Sequence, residues 1–307
     1  MQSYQHRVLK AIMNTLSLPM NLMLPPVDHL RSLLESLTLV STLPWDVHFQ
    51  EVDHGAFRSD WIMPSNVVRN RALLYLHGGG YVIGSPRTHR GLAGKIAKGI
   101  QANCLLPDYR KAPEFPFPYA LSDAFVAYRF LIDTGYAASD IIVAGDSAGG
   151  GLSMALIYKI RDAGMTLPRA VVLLSPYVDL VNGSASRAHN ALNDRFLDIF
   201  EMRRWAKLYA PDQDLFDPYI SPIYGDMHNF PPMLIQASNS EVLIDDALGL
   251  FNKAREAGVN VQLQTWESLV HWWHMFGALP EAKDAIGKII DFLNERYTMD
   301  NQLSIAS

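Results

Sequence analysis

The stretch Ile141-Ile142-Val143-Ala144-Gly145-Asp146-Ser147-Ala148-Gly149-Gly150 decides the fold. Four apolar residues, three of them β-branched, read as a short buried strand. G-x-S-x-G then turns the chain, and Leu152, Ala155, Leu156 and Ile160 continue it at helical spacing. Strand, tight turn and helix in that order form the setting of a nucleophile elbow, which lifts a serine, here Ser147, above the end of a strand. Gly145 and Gly149 keep Cβ atoms out of that turn. Chance gives about 0.1 such strings in a chain of this length, so the context carries the assignment. A Gly-rich helix start that only packs closely or holds a phosphate is the competing reading, but no P-loop lysine accompanies it.

Outward from the elbow, short apolar runs alternate with helix-period segments, as βα units of a mainly parallel sheet require. Leu73 to His77, Ala102 to Pro107, Ile141 to Gly145, Ala170 to Ser175 and Pro232 to Ser238 are expected as strands buried on both faces. Helices are expected from near Thr88, Ser122 and Ser147. Asp46 to Glu51 and Phe57 to Met63 roughly alternate and read as an antiparallel edge. Val259 to Trp266 alternates Val261, Leu263 and Thr265 against Asn260, Gln262 and Gln264, which suggests the far edge strand. A second copy of the chain could cover that edge, so a homodimer through it is an expectation. The fold class is therefore α/β, with a mostly parallel eight-stranded sheet flanked by helices.

Two segments break the alternation: residues 1 to about 45, and the 55 or so residues between Ser175 and Pro232. The second carries Phe196, Leu197, Phe200, Met202, Trp205, Leu208 and Tyr209, more apolar side chains than a surface connection needs. Extra core is one reading. The other is a helical cap, formed by about residues 1–45 and 180–215, over the C-terminal strand ends where ligands of open α/β sheets bind. All 307 residues then form one domain.

His77-Gly78-Gly79-Gly80 follows the run Leu73 to Leu76, and its chance expectation is of order 0.003 per chain. Acyl transfer places negative charge on a carbonyl oxygen, and glycine backbone N–H groups can approach that oxyanion closely. Backbone N–H groups of this glycine run and of Ala148, after the serine, are the candidate oxyanion donors. A serine hydroxyl needs a base and an orienting carboxylate, in the chain order serine, acid, histidine for this architecture. His271 and His274 follow the last expected strand; His271, in the loop, is the better base, and His274 is placed in the following helix. An H-x-x-H metal pair is the rival, without a carboxylate or cysteine cluster to complete it. His48, His54 and His228 read as surface or hydrogen-bonded residues. Glu241, three residues past Ser238, is the leading acid, with Asp179, Asp245 and Asp246 as alternatives. The last two suit charges at a helix N-terminus.

Composition excludes classes without choosing an activity. The chain is 49% hydrophobic and 19% charged with a net charge of −5, so no basic surface is offered to nucleic acid. One cysteine, Cys104, forms neither an internal disulfide nor a multi-thiolate metal site. The apolar stretch Leu16 to Val27 is broken by Pro19, Asn21, Pro25 and Pro26 and falls short of the roughly 20 residues of a membrane helix. Arg7 and Lys10 precede it, yet no clean small-x-small cleavage site follows, so a cytoplasmic location is expected.

These motifs resemble the hormone-sensitive-lipase family of bacterial carboxylesterases, on its GDSAG branch within the α/β-hydrolase superfamily. The blocks that carry the likeness are His77 to Tyr81, Asp108-Tyr109-Arg110-Lys111-Ala112-Pro113-Glu114 through Pro118, Gly145 to Gly150, and Asp217 through Pro222. The likeness spans roughly residues 46 to 295, and the Asp108 block has the character of a structural brace. It implies an α/β-hydrolase fold with a triad of Ser147, Glu241 and His271, and oxyanion donors at Gly79, Gly80 and Ala148. Glu241 and Val242 stand where most members have Asp-Pro, and Trp272 where many have Gly. The implied function is hydrolysis of short- to medium-chain acyl esters without metal or cofactor. An amidase or arylformamidase with the same triad, and a non-catalytic receptor such as the plant gibberellin receptor, which lacks the histidine, are the alternatives.

Overall fold

The computed structural model describes residues 3–7, 25–37, 43–194 and 197–305. In chain order its elements are α1 (Val27–Leu37), β1 (Val47–Asp53), β2 (Arg58–Pro64), β3 (Ala72–Leu76), α2 (Pro86–Gly99), β4 (Asn103–Pro107), α3 (Tyr119–Asp133), β5 (Ile141–Asp146) and α4 (Ala148–Asp162). Then come β6 (Ala170–Leu174), α5 (Ser186–His189), α6 (Ile199–Tyr209), β7 (Met233–Ser238), α7 (Ile244–Glu256), β8 (Val261–Trp266) and α8 (Pro280–Ile305). The strands form one sheet in the order β1-β2-β4-β3-β5-β6-β7-β8. β2 runs antiparallel to β1 and to β4, and the pairs from β4 onward are parallel.

The central strands lie in the middle because both their faces are apolar, and successive side chains divide between the two sides. Leu74, Val143, Leu173 and Ile235 join the core formed with α3, α4 and α7. Leu73, Ile142, Val172 and Leu234, one position away, join the core formed with α2 and α8. The expected alternation of β8 is less regular: Val261 and Leu263 are half-buried, but Thr265 is exposed and Trp266 packs beside Trp273. Helix starts move by up to three residues. α2 begins at Pro86 because Ser85 caps it, accepting the Thr88 N–H, with proline in the first turn.

The insert between β6 and β7 supplies α5 and α6. Asp198 caps α6 by accepting the N–H groups of Phe200 and Glu201. Met202, Trp205 and Tyr209 are buried in the main core, whereas Phe200 is 67% exposed and Phe196 lies outside the described residues. The Tyr209 ring stacks on Tyr81 with centroids 3.8 Å apart. Of the N-terminal segment, α1 packs Leu30 and Leu34 against the same core. Arg31 on α1 donates to Val82 O at 2.9 Å and Ala112 O at 2.8 Å and pairs with Glu114. The rest of the N-terminal half of the expected cap, at 8–24 and 38–42, lies outside the described residues. Among the described residues no helix is long and apolar enough to cross a membrane.

Candidate active site

Parallel strands end at the same edge of the sheet, and the chain leaves β3, β5, β7 and β8 at that edge through the loops that carry His77 to Gly80, Ser147, Glu241 and His271. Ser147 has φ 52° and ψ −123°, a conformation that costs energy in a non-glycine residue. Its backbone is held there from both sides. Its N–H donates to Leu174 O at 2.8 Å, and its carbonyl accepts from Gly150 and Tyr177, each at 2.9 Å. Such a turn needs glycine at 149, where a Cβ would lie 2.0 Å from Leu76 O.

His271 Nδ1 lies 2.8 Å from Glu241 Oε2, and both side chains are buried. The other Glu241 oxygen accepts the Ser238 N–H at 2.8 Å, which fixes the carboxylate plane. His271 Nε2 is buried without a hydrogen-bond partner among the described residues, Ser147 Oγ included. Nucleophile–base hydrogen bonds in unliganded sites are often long and tighten only in the substrate complex. Burial opposes a charge on His271, but Glu241, with Asp194 and Asp146 behind it, outweighs burial and raises the imidazole pKa above its ordinary value.

The Gly79 and Gly80 backbones have φ 120° and 61°, and a Cβ on Gly79 would meet Ile83 O at 2.2 Å. The N–H groups of Gly79, Gly80 and Ala148 have no acceptor among the described residues. Trp205 of α6 lies on the α-carbon of Gly80, where a Cβ would come within 2.1 Å of the indole ring.

The remaining candidates sit in structural roles. His274 is in a 3-10 turn, Trp273–Met275, rather than an α-helix. Its Nε2 meets Gln236 Oε1 at 3.2 Å, and burial pushes its pKa down to about 3. Asp179 bonds the Val181 N–H and Tyr224 OH. Asp245 and Asp246 open α7 as expected, but Asp246 is also buried against Arg187 at 2.6 Å and accepts the N–H groups of Val178 and Asp179. His54 bonds Ser59 and stacks on Phe57, and His228 meets Asp226. In the Asp108 block, Arg110 pairs with Asp123 at 2.6 Å and Glu114 with Arg31 at 2.8 Å.

Two buried carboxylates that the sequence did not flag stand beside the predicted site. Asp194, in the insert, accepts the His271 N–H at 3.3 Å and the Val242 N–H at 3.2 Å, so it joins the acid and base loops. Burial raises its pKa to about 6, with the nearby His271 opposing and Glu241 adding. Asp146 accepts from Tyr75 OH, Gly78 N–H and Trp272 Nε1 at 2.9, 3.1 and 2.7 Å, and faces His89 Nε2 at 3.2 Å. Asp194, Glu241 and His271 have ligand atoms within 4.8 Å of one another, a spacing open to a metal ion. Their oxygens already accept Ser238, Val242 and His271 N–H bonds, which suits a hydrogen-bonded cluster better than a metal cage. The 680 Å³ cavity between α2 and α8, lined by Lys95, Lys98, Ile286 and Ile290, contains none of these residues.

Comparison with known proteins places the chain. A family described as having the α/β-hydrolase fold matches residues 73–275. An acetyl-hydrolase of Streptomyces hygroscopicus is 41% identical over 233 residues, covering 76% of this chain and 78% of the relative. An esterase of Acinetobacter venetianus is 32% identical over 291 residues, 94% of each chain. Among solved structures, an esterase/lipase from an uncultured bacterium superposes with TM-score 0.92 at 35% identity, covering 96% of this chain and 99% of its own. An esterase from the bacterial hormone-sensitive lipase family superposes with TM-score 0.86 at 38% identity, covering 89% and 92%. The chain belongs to the α/β-hydrolase family, on the branch of the bacterial hormone-sensitive-lipase esterases.

Proposed function

We propose that this protein is a serine carboxylesterase that hydrolyses short- to medium-chain acyl esters through an acyl-enzyme. The observation that carries the proposal is the buried Glu241–His271 pair, with His271 Nε2 left without a hydrogen-bond partner among the described residues, at the same edge of the sheet as the strained Ser147. Ser147 Oγ attacks the ester carbonyl while His271 takes its proton, and Glu241 holds the imidazole tautomer and stabilises the imidazolium. The oxyanion is received by the N–H groups of Gly79, Gly80 and Ala148, each such donor being worth about 10²- to 10³-fold in rate. His271 then protonates the leaving alcohol, and a water activated by the same histidine releases the acid. The scheme calls on no metal or cofactor.

The short- to medium-chain limit in this proposal rests on the likeness to the hormone-sensitive-lipase esterases. The insert at 180–215 and the N-terminal segment at 1–45 act as the cap in this proposal. The outer side of β8 is unpaired among the described residues, and the proposal includes a homodimer through it. The proposal includes a cytoplasmic location.

Ser147→Ala should lower hydrolysis of a short-chain nitrophenyl ester by about 10⁶-fold. A fluorophosphonate should label Ser147 in the unaltered chain. Near-full activity of the alanine variant would remove Ser147 from the scheme, and a series of esters of increasing acyl length measures the chain limit.

A further inference from the structure

Trp272 has φ 68° and ψ 10°, the left-handed region in which a bulky side chain is strained. A residue persists there only when its surroundings hold it. Its carbonyl accepts the Met275 N–H at 2.9 Å, and its indole N–H donates to Asp146 Oδ2 at 2.7 Å, a short bond to an ionised acceptor. Asp146 directly precedes Ser147 and Trp272 directly follows His271. One side-chain bond thus joins two loops 126 residues apart, one position away from each reacting side chain.

The acceptor is itself fixed. Tyr75 OH and the Gly78 N–H bond the other Asp146 oxygen, and Gly78 directly precedes Gly79. A Cβ at Gly78 would lie 2.2 Å from Asp146 Oδ2 and 3.0 Å from the indole nitrogen, so only glycine leaves room for the clamp. The indole ring lies nearly parallel to the His271 imidazole, at 16° and 6.4 Å, and edge-on to His89 at 5.6 Å. Burial works against the Asp146 charge, but His89 and the bonds from His89, Tyr75 and Trp272 hold the carboxyl down at about 2.

We propose that Trp272 is a positioning residue that keeps His271 in register with Ser147 and the Gly79–Gly80 loop through its hydrogen bond to Asp146. The proposal rests on the Ser147–His271–Glu241 scheme above. Without the bond, residue 272 loses its side-chain anchor to the end of β5, and relaxation of its strained backbone shifts the adjoining imidazole. Misalignment of a base by a fraction of an ångström lowers the rate without altering substrate affinity.

The test uses Trp272→Phe, which keeps an aromatic ring but loses the N–H, and Trp272→Gly, which suits the left-handed backbone. Trp272→Phe, which keeps the strain and loses the bond, should lower kcat about tenfold with KM within twofold and slow fluorophosphonate labelling of Ser147 by the same factor, whereas Trp272→Gly, which loses the strain together with the bond, should lose less of both rates. Adding Trp272→Phe to Asp146→Asn should lower kcat no further than Asp146→Asn alone. Wild-type kcat and labelling rates in both Trp272 variants, with only the melting temperature changed, would reduce Trp272 to packing and overturn the clamp. Absence of label on Ser147 in the unaltered chain would instead overturn the underlying scheme, and the clamp with it. The two failures are therefore distinguishable.

Discussion

A protonated His271 cannot accept the Ser147 proton, so in the proposed scheme kcat/KM falls as pH drops through the His271 pKa. Glu241 is the principal group raising that pKa, against burial, which lowers it. Glu241→Gln removes the raising charge and leaves burial in force, so the acid limb of the pH profile should move to lower pH. The same change loses the acceptor that fixes the Nδ1–H tautomer, and kcat should fall by about 10³- to 10⁴-fold. A pH–rate profile of the variant checks both effects. An unmoved limb with near-normal kcat would assign the acid to another residue. Asp194 adds a second negative charge behind the imidazole, and burial raises its own pKa to about 6.

At the scale of elements, a buried ion pair ties the insert to α7. Arg187 of α5 meets Asp246 of α7 at 2.6 Å and also donates to Asp179 O and Asn182 Oδ1, each at 2.9 Å. Both charges are buried, so removing one leaves the other unpaired in a low-dielectric interior. Arg187→Ala should destabilise the protein by about 3–5 kcal/mol in urea unfolding. A loss of under about 1 kcal/mol would mean that the pair acts no more strongly than a surface bridge. Sequence reasoning read Asp246 as an alternative acid better suited to a helix-terminal charge, and missed the ion pair because its partner, 59 residues away, carries no local signal.

For the whole molecule, β8 closes one end of the sheet with an outer edge unpaired among the described residues, and a dimer joined there would extend the sheet across two copies. Sedimentation at micromolar concentration should return twice the chain mass, and a monomeric mass would exclude that arrangement. The sequence by itself determined the α/β class and the strands within a few residues, and it nominated Ser147, Glu241, His271, Gly79, Gly80 and Ala148 as the candidate set. Buried parallel strands, their alternation with helices, and glycine-dependent turns are local properties that periodicity and residue type report directly. Only the tertiary structure decided which groups surround that set. Asp194 reaches the His271 backbone over 77 residues, Trp272 reaches Asp146 over 126, and the buried His6 accepts the Val270 N–H over 264. Those contacts arise because parallel strands need crossover connections, which bring distant loops to one edge of the sheet, and no local pattern records which side chains then meet.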